Sequence, residues 1–339
     1  MTTRPIRFAP RRRLDYVALK HMHGRDASSA RRPRFVRTLL CIRMWRLLVA
    51  GSVCVLAPCR ADAAQYRGVA PIRVAALRGD TVPAASAGPT GLEGVFDVGG
   101  HKLYLRCEGR GAPTVVYLHG LIVTRGGSQN SGLIPGYLRD QAQVCIYDRA
   151  NVGFSDPLPG PLTGKDAVHD LHRLLDAAHV RGPYVLLAGS FGGLVAVMYA
   201  ATYPRDVAGM VLNDASLPED VVAVDERFVP ERQRLQPDDW KHNVEQMDLR
   251  STYEQARAMP ISRTDIPLTY IATDQYDFDP AWPVVQMAAA VRAEQHAFVA
   301  QFPRGRLLEL SGVPHFMERA IPRTVADEVM RMLAVVRAK

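Results

Sequence analysis

The chain has 339 residues, is 47% hydrophobic and carries a formal net charge of +8, which is enough apolar material for one large core or two ordinary ones. Residues 1–46 hold 13 Lys and Arg against 2 Asp and Glu, a local net of +11 that leaves −3 for the rest of the chain. The basic balance therefore belongs to an N-terminal arm, and the body has neither the basic stripe nor the aromatic stacking pattern of a nucleic-acid binder.

In chain order, Met44-Trp45-Arg46 leads into an apolar run from Leu47 to Pro58, too short to span a bilayer as a helix. The run ends near Ala61-Asp62-Ala63-Ala64, which places small residues at −3 and −1 of a cleavage site. A basic flank, a short apolar run and a small-residue end predict a secretory signal peptide. Residues 1–64 are thus expected to be a basic arm and signal, removed on export to the periplasm or the medium, with membrane contact only in transit. Translation could begin at Met1 or at Met44. Residues 65–92, rich in Ala, Gly, Pro and Arg, read as a disordered leader. Cleavage leaves Cys107 and Cys145 as the remaining cysteines. An even pair in an exported chain points to one disulfide, with two buried thiols as the alternative.

From residue 93 onward the pattern changes. Gly94 to Cys107 alternates in strand fashion around a turn at Gly99-Gly100, as a hairpin does. Apolar, β-rich runs follow at 114–118, 143–147, 184–187, 207–212, 267–272 and 306–310. Helical spacing occupies 165–180, 194–203 and 323–336. Buried strands alternating with helices predict an α/β domain over 93–339, with a mostly parallel sheet covered on both faces. Residues 215–262 break the rhythm with charges and with Pro218, Pro230 and Pro237. They are expected to form a small helical lid over the carboxyl edge of the sheet, where ligands bind in such folds.

The chemistry centres on Tyr184-Val-Leu-Leu-Ala-Gly-Ser-Phe-Gly-Gly-Leu-Val195. A strand ends in a small-residue turn, Ser190 sits in the turn, and a helix follows. This is the pattern of a nucleophile elbow, with Ala188 and Gly192 as the small residues that let the chain bend so sharply. A capped helix start is the plainer alternative. Serine is a weak nucleophile until a base takes its proton, and among the ten histidines only His315 combines a loop after the last strand with the right place in chain order. The developing oxyanion needs donors. The N–H of Phe191 is the first candidate and that of Leu121, after His119-Gly120, the second, with His119 shaping the loop. An acid must hold the imidazole. Asp277, in Thr273-Asp-Gln-Tyr-Asp-Phe-Asp279, is the favoured candidate, Asp214 at the end of the strand 207–213 is its rival, and Asp274 and Asp279 are assigned to loop lining and capping.

Four stretches together resemble the α/β-hydrolase superfamily over about residues 95–337: Leu118-His119-Gly120, Tyr147-Asp148-Arg149-Ala150-Asn151-Val152-Gly153-Phe154-Ser155, Ala188 to Gly193, and the His315 loop. The resemblance implies an eight-stranded sheet in which the strand of Cys107 neighbours that of Cys145, which makes their disulfide geometrically plausible. It also implies structural roles for Asp148 and Arg149, with Asn151 in place of a customary glycine and able to adopt a left-handed turn. The expected activity is that of a serine hydrolase on a small-molecule ester through an acyl-enzyme on Ser190, with no cofactor and no metal. An aminopeptidase or lactonase would use the same residues, and a non-catalytic ligand-binding member is the contrasting class.

Overall fold

A computed structural model of the chain describes residues 91–121, 134–259 and 266–338. The basic arm, the signal segment and the leader as far as residue 90 lie outside the described residues. Strand β1 (Leu92–Asp97) pairs with β2 (Lys102–Glu108) in the hairpin expected around Gly99-Gly100. The remaining strands are β3 (Thr114–Leu118), β4 (Val144–Tyr147), β5 (Tyr184–Gly189), β6 (Val207–Asn213), β7 (Leu268–Thr273) and β8 (Gly305–Leu310).

All eight form one sheet in the order β1-β2-β4-β3-β5-β6-β7-β8. β1 and β2 are antiparallel to their neighbours and the strands from β4 to β8 run parallel. The pattern follows from burial. β1 alternates between half-buried and exposed residues, as an edge does, whereas every residue of β3, β4, β5 and β7 is buried, because helices cover both faces of the parallel part.

The helices are α1 (Ile134–Leu138), α2 (Gly164–Ala177), α3 (Phe191–Thr202), α4 (Leu249–Ala258), α5 (Val284–Val299), α6 (Met317–Ala320) and α7 (Pro322–Arg337). α3 is apolar on nearly every side, with Phe191 through Ala200 buried. α1 and α7 supply the core on the other face, where Ile134, Leu138, Val325 and Val329 meet the β3 and β5 side chains Val115 and Val185. This is the eight-stranded α/β-hydrolase architecture that the sequence implied.

Cys107 and Cys145 are directly opposite in the β2–β4 register and are joined by a disulfide, with Cα atoms 4.0 Å apart. The segment between β6 and β7 is helical in short pieces, at Val221–Phe228, Glu231–Gln233, Asp239–His242 and α4. Its first part packs on α5 through Val224, Val229, Trp282 and Met287. Its second part is bolted to the body: Leu162 bridges Met247, Thr252 Oγ1 accepts from the Gly164 N–H at 2.9 Å, and Gln246 Oε1 accepts from the Gly160 N–H at 2.6 Å. That second part of the expected lid segment is anchored to the body by these contacts.

Candidate active site

The end of β5 sets the geometry. Ser190 follows Gly189 and has φ 51° and ψ −131°, a left-handed conformation unusual for a residue with a side chain. Such strain persists only where the surroundings enforce it. Here the Ser190 carbonyl accepts from the N–H groups of Gly193 (2.9 Å) and Ser216 (2.8 Å). The turn also needs a bare position at Gly192, where a Cβ would collide with the carbonyl oxygens of Leu118 and His119. Ser190 is buried, at 6% exposed, and its Oγ has no hydrogen-bond partner among the described residues.

The next strand supplies the carboxylate that faces His315. Gly189 pairs with Asn213 in the parallel β5–β6 register, so Ser190 and Asp214 leave neighbouring strands at the same level. Asp214 is also left-handed, at φ 41°, while its N–H continues the ladder to the Ile271 carbonyl at 2.7 Å. Its Oδ2 lies 2.6 Å from His315 Nδ1. The histidine is therefore paired with Asp214, and the preference for Asp277 is corrected. Asp277 is exposed and makes no hydrogen bond or ion pair among the described residues.

The reason lies in how the His315 loop is held. Asp274 accepts from Ser311 Oγ (2.5 Å), the Gly312 N–H (2.8 Å) and Gln275 Nε2 (2.9 Å). These donors, Gln275 first, lower its pKa to about 2. Thr273 Oγ1 donates to the Val313 carbonyl. The edge of β7 is thus spent on anchoring residues 311–313, and the imidazole faces β6. Asp279 caps locally, accepting from the Ala281 N–H at 2.9 Å. A further carboxyl, Glu318 in α6, is buried behind the site. Asn213 Nδ2 donates to it at 3.4 Å, and burial raises its pKa against the opposing pull of His315 and Arg319.

A buried ion pair holds the His119-Gly120 loop beside Ser190. Arg149 donates through Nη1 to the His119 carbonyl and through Nη2 to the Gly120 carbonyl, both at 2.8 Å. Its Nε and Nη2 reach Glu245 Oε2 and Oε1 at 2.6 and 2.9 Å. The side chains are 3% and 0% exposed. Burial works against the guanidinium charge, but the Glu245 carboxylate more than offsets it and leaves the pKa of Arg149 raised. Two carbonyls turned toward Arg149 direct the following N–H groups the other way. Gly120 lies against Ser190, where a Cβ would sit 3.1 Å from Ser190 Cβ and 3.6 Å from Oγ.

His119 donates from Nδ1 to the Gly120 carbonyl at 2.8 Å, and burial, then the Arg149 charge, hold its pKa well below the usual value. Phe191 opens α3, where the first N–H groups have no acceptor inside the helix. Asn151 is left-handed at φ 71°, and its Nδ2 also donates to the Glu245 carbonyl at 3.1 Å. Glu245 escaped the sequence reading because it lies 96 residues from Arg149, and nothing local sets it apart from Asp239, Asp248 and Glu254.

A cavity of about 470 Å³ opens on the site, walled by Asp214 and His315 and by the insertion and β7 loop residues Tyr253, Tyr276, Phe278 and Trp282. Ser190 does not line it. Among the described residues no group of three or more His, Cys, Asp or Glu could hold a metal ion, and no helix is long and apolar enough to cross a membrane.

Comparison with known proteins agrees with this fold. Residues 113–251 match the family model described as alpha/beta hydrolase fold. The chain superposes on an alpha/beta hydrolase fold protein from Burkholderia ambifaria with a TM-score of 0.53 at 16% identity, covering 72% of this chain and 99% of that one. It superposes on E-2-(acetamidomethylene)succinate hydrolase with a TM-score of 0.51 at 17% identity, again covering 72% and 99%. In sequence it is 31% identical over 116 residues to the cis-3-alkyl-4-alkyloxetan-2-one decarboxylase of Shewanella oneidensis, covering 33% of this chain and 35% of that protein. The first curated relatives are matched over only 39% and 15% of their own length. The chain has the alpha/beta hydrolase fold, and its residues 113–251 are similar to the family that bears that description.

Proposed function

We propose that the protein is a serine hydrolase that cleaves carboxylic esters through an acyl-enzyme on Ser190. The observation that carries this reading is the 2.6 Å pairing of His315 Nδ1 with Asp214 at the strand end beside the strained Ser190 turn. With Nδ1–H donated to Asp214, the other imidazole nitrogen is the base. It takes the hydroxyl proton as Ser190 Oγ attacks the substrate carbonyl. The N–H groups of Phe191 and Leu121 receive the developing oxyanion. Collapse of the tetrahedral intermediate expels the alcohol, protonated by His315. Water activated by the same imidazole then attacks the acyl-enzyme, and release of the acid restores Ser190.

The test is turnover of p-nitrophenyl acetate and butyrate by the wild type and by Ser190→Ala and His315→Ala. The reading expects each variant to lose at least about a thousandfold in kcat, the scale on which triad members act. Retention of wild-type kcat by Ser190→Ala would remove the nucleophile. We also propose that the chain is exported, with residues 1–64 removed. The Cys107–Cys145 disulfide supports this, because such bonds persist mainly in oxidising compartments. Sequencing the N-terminus of the exported protein tests it, and an intact Met1 would count against it.

A further inference from the structure

Asp277, displaced from the triad, raises the question of what an exposed and unpaired carboxylate does at the wall of the cavity. The other two acids of that wall have assignments: Asp214 holds His315, and Asp220 Oδ2 accepts from the Leu217 N–H at 2.8 Å. Among the described residues the wall contains no Lys or Arg, and His315 is its one basic side chain. The nearby Arg292 lies 3.9 Å from Glu309, and Arg319 is spent on the ring of Phe316, 5.2 Å from its centroid. The remaining aromatic wall is extensive. Tyr276 and Phe278, the two neighbours of Asp277 in sequence, stack with centroids 5.3 Å apart and planes 12° apart, and Tyr253, Tyr270, Trp282 and Phe316 also line it. The phenol of Tyr276 is pushed up to about 12 by burial and by Asp214, so the wall presents neutral rings at pH 7.

Aromatic faces carry negative quadrupole potential and attract cations, most strongly where water is excluded. A carboxylate without a partner adds a charge of the same sign. A cavity of about 470 Å³ has room for an alkylammonium or arylammonium group. We propose that the substrates of this site carry a positively charged ammonium group that is seated in the aromatic cavity and faced by Asp277. The inference rests on the Ser190 hydrolase reading. Asp277 is then a specificity residue, and anions are disfavoured because, among the described residues, no Lys or Arg of the wall would receive them.

The test uses isosteric pairs that differ only in charge. Butyrylcholine is compared with 3,3-dimethylbutyl butyrate, and p-nitrophenyl 4-(trimethylammonio)butyrate with p-nitrophenyl 5,5-dimethylhexanoate, which places the charge on the alcohol side and then on the acyl side. In at least one pair the cationic ester is expected to have the higher kcat/KM by about tenfold, the scale of a desolvated cation–π contact, and Asp277→Asn is expected to narrow that ratio. Independently of turnover, Ser190→Ala is titrated calorimetrically with phenyltrimethylammonium and with phenylacetate. The cation is expected to bind at least about tenfold tighter, and Asp277→Asn in the same background to weaken it. Equal or better turnover of the neutral ester in both pairs, or equal binding of the two ions, overturns the proposal while leaving the hydrolase standing. Absence of turnover on every ester, with retained ammonium binding, would instead remove the hydrolase reading.

Discussion

Asp214 Oδ2 and His315 Nδ1 lie 2.6 Å apart across 101 residues of sequence, joining the end of β6 to the loop after β8. Asp214→Asn should therefore lower kcat on a small neutral ester by about a thousandfold or more, since loss of the acid disturbs the imidazole tautomer. Asp277→Asn should cost far less, by at least about a hundredfold in the comparison. Steady-state kinetics of the two variants side by side decides this, and a larger loss at Asp277 would reverse the assignment.

The Arg149–Glu245 pair is predicted to act on both stability and rate. Removing one partner of a buried ion pair leaves an uncompensated charge and costs about 3–5 kcal/mol. Glu245→Gln should accordingly lower the urea midpoint sharply. Replacing both with Met removes the charges, so stability should recover in large part. Activity should not recover with it, because the His119 and Gly120 carbonyls lose the guanidinium that orients them. A double variant with wild-type kcat would show that the clamp serves folding alone.

Asp274 positions the histidine loop, and its loss should be read in kcat more than in KM. Asp274→Ala frees Ser311 and Gly312 and should reduce kcat about tenfold, a modest positioning effect beside that of a triad member. In the wild type its folded pKa of about 2 lies below the ordinary 3.8. Its contribution to stability is therefore full above 3.8 and is lost as pH falls toward 2. Because the carboxylate is largely exposed, the effect on the acid limb of a thermal-melt series should be small, and Asp274→Ala should flatten it further.

How much of this was legible in the sequence divides along physical lines. The central strands are buried on both faces, so each reads as an unbroken apolar run, and Ser190 and His315 announce themselves through the turn and loop beside those runs. The acid did not. Three carboxylates follow β7 and one follows β6, and the choice depends on which way the imidazole faces. That is fixed by Thr273 and Asp274 holding residues 311–313, a contact between distant segments. Glu245 was invisible for the same reason. Asn151 was read correctly as a left-handed turn residue, but its second bond to the Glu245 carbonyl exists only in the folded chain.

Glu318 gives a pH prediction of opposite sign. Burial raises its folded pKa above the ordinary 4.5. The protonated form is favoured in the folded state, so its contribution is full below 4.5 and is lost as pH rises through the raised value. Glu318→Gln cannot ionise. Its Tm relative to wild type should therefore climb between pH 4 and pH 8, and a flat difference across that range would contradict the buried-carboxyl account.

The disulfide closes a loop of 38 residues between β2 and β4. Replacing both cysteines with Ala should lower stability by about 2–4 kcal/mol through the greater freedom of the unfolded chain. Equilibrium urea unfolding of the pair variant measures this, and an unchanged midpoint would argue against it.

The most direct test of the central claim is covalent capture of the nucleophile. Folded protein treated with a fluorophosphonate and digested for mass spectrometry should carry one adduct, on Ser190, formed more slowly in Asp214→Asn and absent in Ser190→Ala. An unlabelled wild type, or a Ser190→Ala protein labelled at the wild-type rate, would contradict the account.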